Sequence, residues 1–412
     1  LRYFFNAVYG FIPIFVLAEN TQFYLLNWEK RQVIGNLSTY QMKLMIKSKL
    51  ILILTFFTFT SSIFGQNPVT SPKDTILSMP EKTFETLWLT FEDHYAFFKL
   101  RNIDWKKTYE LYRRTVNANT TDDELFDTFS KMLAPFQDNH INVIIPSKKQ
   151  FKSTKPSSFV KEFPSDSLRN AFWKMVDNTL FKNGFSKIKY AGPKFNGKEL
   201  FAYTTSKQYA YLRFNRCFVS QEADNKPDTE VASKILDSVF ANFKSSKILI
   251  IDVRDNIGGN DEFAFEVANR LAEKKSIGMI KKTRSGGYED FGTPETWYFE
   301  PNGNPKFSKP VIVLTNDKTV SAGDVFALIM KGLPKVRIIG ENSRGIYSDM
   351  YGFELPNKWL VSLSNQRYYT PNMICYEGTG TPVDIIVKNR KQDLLKNTDP
   401  MIIKALEIGI KK

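Results

Sequence analysis

The apolar positions fall first at helical and then at strand spacing. From Glu81 to Phe98, the residues Phe84, Leu87, Trp88, Phe91, Tyr95 and Phe98 recur mostly at three- and four-residue steps, which predicts an amphipathic helix. Asp104 to Val116 repeats the pattern with Trp105, Tyr109 and Tyr112. Thr121-Asp-Asp-Glu124 has the form of a capping box and opens a third helix through Leu125, Phe126, Phe129 and Leu133 to Pro135. Together these predict a small N-terminal helical domain over 81–150, in which His94 is expected to pack or cap. Phe136-Gln-Asp-Asn-His140 leads into the strand-like Ile141–Ile145, and 151–187 reads as a polar connecting segment with one helix near 167–181. From Ile188 short β-branched runs alternate with helical ones. The predicted strands are Tyr209–Phe214, Lys247–Val253, Pro310–Leu314 and Val336–Ile339, and the helices between them are Asp228–Phe243, Asp261–Lys274 and Ala322–Lys331. A β-rich stretch over 351–387 and a helical tail over 391–412 close the chain. Such alternation predicts an α/β core with a substantial parallel sheet across 188–390.

The amino terminus departs from this texture. Residues 1–41 begin with Leu, are rich in aromatics without a clean period, and read as an over-extended start. From Met42, Lys43, Lys47 and Lys49 precede an apolar stretch, Leu50 to Thr60, and then small and polar residues to Gly65-Gln66. That is the layout of a secretory signal peptide over 42–65, too short in its apolar part for the ~20 residues that span a bilayer. Residues 66–80 read as a linker. The protein is therefore expected to be exported, periplasmic or secreted.

Composition narrows the function classes. The net charge is +14; residues 1–41 hold +1 of it and the three lysines of the signal +3, which leaves +10 from Gln66 onward. The positive charges are scattered, with no basic helix and no stacking motif, so nucleic acid is not an expected partner. With two histidines, His94 and His140, two cysteines, Cys217 and Cys375, and no Cys-x-x-Cys, neither a metal site nor a cofactor is expected. The cysteines are read as a disulfide or as two buried thiols, with neither preferred.

Three stretches carry candidate chemistry. Pro310–Leu333 is an apolar strand, a polar turn, and a helix opened by Ser321. A serine at a strand-to-helix junction presents its hydroxyl beside the positive end of the helix dipole, although Ser321 with Asp324 also fits a plain capping box. Ile248–Gly259 is a strand running into Asp252-Val-Arg254-Asp-Asn256-Ile-Gly258-Gly259, where paired glycines let backbone N–H groups converge on a negative charge. Tyr376–Asp384 is a glycine-rich loop with two carboxylates, Glu377 and Asp384.

In this order and at these separations the three stretches, with Ile339-Gly340-Glu341, resemble the tail-specific (carboxyl-terminal processing) protease family, in its PDZ-less secreted subgroup. The helical section, with Asp104-Trp105 and Gln137–His140, resembles the amino-terminal region of such members. The resemblance implies a crotonase-like α/β catalytic core and a serine-type endopeptidase acting on peptide or protein. It implies Ser321 as nucleophile, with an oxyanion hole from the backbone of Gly258, Gly259 and Ala322. Two departures stand out. The register of the usual catalytic lysine, 25 residues after the nucleophile, holds Ile346, which cannot take a proton. The histidine slot of the tricorn-like branch holds Arg213, while its glutamate matches Glu377. His140 and Glu377 are therefore the candidate bases, with activity expected to rise through pH 6–7 if His140 serves. The alternative is a catalytically silent module that binds peptides or apolar ligands in the same cleft.

Overall fold

The computed structural model describes residues 77–219 and 227–410. The expected start segment, the signal peptide and most of the linker lie outside the described residues. Helix α1 (Met79–His94) begins two residues inside the expected linker, with Ser78 and Glu81 forming a capping box. α2 (Trp105–Arg113) is capped by Asp104, and α3 (Asp122–Leu133) by the Thr121/Glu124 box. Strands β1 (Asn142–Ile145) and β2 (Lys149–Lys152) precede α4 (Ser158–Glu162) and α5 (Asp166–Lys182). Then come β3 (Lys189–Phe195), β4 (Lys198–Thr205), β5 (Tyr209–Phe214), α6 (Asp228–Ala241), β6 (Ile248–Asp252) and α7 (Asp261–Asn269). β7 (Ser276–Thr283), β8 (Glu295–Phe299), β9 (Val311–Thr315), α8 (Ala322–Lys331) and β10 (Val336–Gly340) follow. The chain continues as β11 (Met350–Glu354), β12 (Leu360–Ser364), β13 (Gln366–Tyr369), β14 (Ile385–Ile386), α9 (Asp393–Lys396) and α10 (Pro400–Ile410).

The central sheet has the order β14-β10-β9-β6-β5-β4-β3, parallel from β14 to β5 and antiparallel beyond. Its middle strands are apolar on both faces because both faces are covered. Leu249 and Ile251 of β6 join the core made with α6, α7 and α8, whereas Ile248 and Ile250 join the core made with α5 and α10. This is the expected α/β architecture with N-terminal helices.

The helical section does not close on itself. Phe84, Phe91, Trp105 and Phe129 share one core with Val143 of β1 and with Trp359, Val361 and Leu363 of the distant β11–β12 segment. β1 pairs with β12 in an antiparallel sheet of order β11-β12-β1-β2. His94 stacks on Tyr351 with ring centroids 4.4 Å apart, so it packs in this section.

Candidate active site

Ser321 sits between β9 and α8 at φ 60° and ψ −128°, a conformation that costs a residue with a side chain about 1–3 kcal/mol. Main-chain hydrogen bonds hold it there. Its N–H donates to Ile346 O at 3.0 Å, and the Val320 N–H donates to Asn256 O at 3.0 Å. The Ser321 hydroxyl does not cap α8. This corrects the capping-box reading: the half that Ser321 would supply is missing. Asp324 directs its carboxylate to the N–H groups of Gly345 at 2.9 Å and Ile346 at 3.0 Å, so it pins the loop that in turn holds Ser321. Burial raises the Asp324 carboxyl to about 6, against the hydrogen bonds that favour its charged form.

The glycines do different jobs. Gly258, at φ +83°, lies so close to the nucleophile that a Cβ there would be 2.5 Å from Ser321 Cβ. Its N–H is already given to Asn256 Oδ1 at 2.9 Å, which leaves it no donor for an oxyanion. The expected contribution of Gly258 to an oxyanion hole is thereby corrected to one of close approach. The Gly259 and Ala322 N–H groups have no hydrogen-bond partner among the described residues, and Ala322 is the first residue of α8. Asn256 unites the site: its carbonyl holds Val320, its Oδ1 holds the Gly258 turn, and its Nδ2 donates to Phe214 O at 3.1 Å.

Other members of the motif stretches are structural. Arg254 is fully buried and pairs with Asp252 and Asp399, which ties α10 to the sheet. Asp384 accepts from Ile338 N at 2.8 Å and pairs with Lys331 at 3.0 Å, joining β14 to β10. Arg213 pairs with Asp177 at 2.9 Å and lies 4.5 Å from the Trp173 ring, so the histidine slot holds a packing residue directed at α5. Cys217 and Cys375 are both free thiols.

The register that usually carries lysine is occupied by the fully buried Ile346, whose carbonyl touches Ser321. The next residue leads to Glu377: Tyr347 N–H donates to Glu377 Oε2 at 2.9 Å, and Arg101 reaches Glu377 Oε1 at 2.8 Å. Burial and the nearby Asp138 carboxylate push the Glu377 carboxyl up to about 8. Both of its oxygens are therefore engaged in positioning. Arg101, from the turn after α1, carried no signal in the sequence.

His140 lies 5% exposed at the entry to β1. Its backbone N–H donates to Asp138 Oδ1 at 2.9 Å and its carbonyl accepts from Ser362 Oγ at 2.6 Å. Its Nδ1 is buried without a partner. Burial lowers the imidazole to about 4, so it is neutral at pH 7 and a weaker base than a free imidazole; the expected titration through 6–7 moves down accordingly. Asp349 is close enough to raise His140 somewhat, and Asp349 and Gly259 line one cavity. Lys152, another residue without a mark in the sequence, is held down to about 8 by burial and by Lys318 and Arg344.

Known proteins resemble this chain in sequence and in fold. Residues 208–387 match peptidase family S41, and residues 80–134 match the tricorn protease C1 domain. A carboxy-terminal-processing protease of Bartonella bacilliformis is 28% identical over 173 residues, 42% of this chain and 38% of that protein. One from Picosynechococcus sp. is 25% identical over 122 residues, 30% of this chain and 27% of that protein. The matched part thus spans well under half the length of these curated relatives. Among solved structures, a putative peptidase from Parabacteroides merdae is 28% identical, with a TM-score of 0.67 over 81% of this chain and 98% of that one. Mature CPAF, in its complex with lactacystin, shares the fold at 10% identity, with a TM-score of 0.54 over 80% of this chain and 97% of that one. Residues 208–387, which hold the parallel part of the sheet, the Ser321 turn and the Glu377 loop, thus carry the peptidase family S41 region, the one that resembles the tail-specific proteases.

Proposed function

We propose that the protein is a serine peptidase that hydrolyses peptide bonds through an acyl-enzyme on Ser321, with His140 as base. The observation that carries this reading is the Ser321 hydroxyl, which does not cap α8, beside the N–H groups of Gly259 and Ala322, which have no hydrogen-bond partner among the described residues. Ser321 Oγ attacks the peptide carbonyl carbon while His140 takes its proton. The carbonyl oxygen gains negative charge against the Gly259 and Ala322 N–H groups, where preorganised donors are worth about 10²–10³ in rate each. The C–N bond then breaks, and His140 returns the proton to the leaving amine. Water, deprotonated by His140, releases the acyl group by the same steps in reverse. Glu377 positions the 345–347 loop instead of taking a proton. The silent binding-module alternative is not favoured, because the matching relatives are proteases by name. Export remains part of the proposal through residues 42–65, and the mature chain should then start near Gln66.

The test is labelling by a fluorophosphonate probe, compared between the parent and Ser321→Ala. Labelling and peptide turnover should both vanish in the variant; labelling that survives would overturn the assignment. His140→Ala should reduce turnover by about a hundredfold or more while the fold is retained.

A further inference from the structure

A cavity of about 210 Å³ opens at Gly259. One wall is the first turn of α7, Asp261 and Glu262; the others come from β7, β8 and the residue before β11, as Lys281, Glu295, Trp297 and Asp349. The charges are unequal. Lys281 is the one cation of the lining, and it pairs with Asp261 at 2.7 Å and with Asp349 at 3.3 Å. Its ammonium also lies 4.1 Å from the Trp297 ring centre, and Tyr368 closes the back of the pair by donating to Asp261 Oδ2 at 2.8 Å. Glu262 and Glu295 form no ion pair among the described residues. Glu295 accepts from the Trp297 indole N–H, so its carboxylate lies at the edge of that ring.

The cavity's place gives this imbalance meaning. In the acyl transfer proposed above, the attacked carbonyl oxygen lies between the Gly259 and Ala322 N–H groups. The side chain beside that carbonyl must then enter the space next to Gly259. That space holds a long side chain, an indole face and two carboxylates outside any ion pair. A guanidinium or ammonium would supply the missing charge at the cavity mouth, where the exposed Glu262 and Glu295 carboxylates stand, Lys281 already lying over the Trp297 ring. An acidic side chain would meet excess negative charge, and an apolar one would gain no charge-assisted hydrogen bond there.

We infer that this cavity is a specificity pocket for a basic side chain, so that the peptidase cuts beside arginine or lysine, with Glu262 and Glu295 as the selecting residues. The inference rests on the peptidase reading, and the experiment separates the two. Matched fluorogenic peptides carrying Arg, Lys, Leu or Glu at the residue whose carbonyl is attacked are compared for kcat/KM, with Ser321→Ala as the blank. Arg and Lys peptides should be cut at least about tenfold faster than Leu, the effect of one charge-assisted hydrogen bond, and Glu slowest. Glu262→Gln and Glu295→Gln, and above all the double variant, should reduce that preference severalfold or more while leaving kcat/KM for the Leu peptide within about twofold. Ser321-dependent cleavage without a basic preference, or a preference that survives in the double variant, would overturn the pocket and leave the peptidase reading standing. Agmatine binding, measured by calorimetry on full-length protein, gives a readout that needs no turnover. If no peptide is cut, agmatine binding that is lost in the double variant still supports the pocket, and no binding to the parent refutes it.

Discussion

Gly258 is where one atom decides whether the site exists. Its positive φ, and the mere 2.5 Å that would separate a Cβ there from Ser321 Cβ, leave no room for a methyl group. Gly258→Ala should destabilise the fold by about 1–3 kcal/mol and abolish fluorophosphonate labelling, checked by thermal melts and gel fluorescence. His140 makes a prediction of a different kind. Its folded pKa is about 4 against an ordinary value near 6.5, so the unfolded chain binds more protons in between. The stability it contributes is present above pH 6.5 and is lost as pH falls through 4, on the order of 3 kcal/mol. Urea titrations at pH 7 and pH 4 should show a smaller difference for His140→Gln than for the parent. Catalysis by His140 should rise with pH through about 4 and stay flat across 6–7; a rise through about 8 would instead implicate Lys152 or Glu377, which the profile of Glu377→Gln tells apart.

At the scale of elements, the 343–347 loop does the assembling. Asp324 holds it from α8, Glu377 holds it from the glycine-rich loop, and it holds Ser321 through Ile346 O. Asp324→Asn offers one acceptor oxygen where two are used, and places an amide N–H₂ against a backbone N–H. It should cost about 1–3 kcal/mol of stability and also slow turnover at least tenfold, measured by denaturant melts and kcat on a standard peptide. This goes beyond the purely structural role that a helix cap would give it. The β6 strand, the Ser321 turn and α8 were legible because an apolar run, a polar turn and a buried helix leave unambiguous local marks. β2, β7 and β8 were not, since their lysines, threonines and aromatics alternate irregularly across half-exposed faces. The Arg101–Glu377 pair joins residues 276 apart, and no local pattern announces such a partner. The Gly258 N–H was misassigned because paired glycines signal freedom of the backbone, not which amide is already occupied.

Across residues 77–410, the helical section and the β11–β12 segment share a single apolar core, and β1 is paired to β12. A fragment beginning at residue 188 would keep the strands of the central sheet but lose α5 from one of its faces and strip the partners of Leu355, Trp359, Val361 and Leu363. Such a fragment should lose cooperative unfolding and fail to label at Ser321, checked by near-UV circular dichroism and the same probe. Co-expressing residues 77–187 as a separate chain should restore part of both, because the contacts are non-covalent. The β1–β12 pairing also has a consequence in time. A ribosome delivers His140 long before Ser362, and Glu377 later still, so β1 has β2 beside it early but gains β12 only when the chain is nearly finished. A translation product that stops between Ser321 and Ser362 therefore carries the nucleophile without β12 or the Glu377 loop, and activity is expected to arrive only with the last segments of the chain.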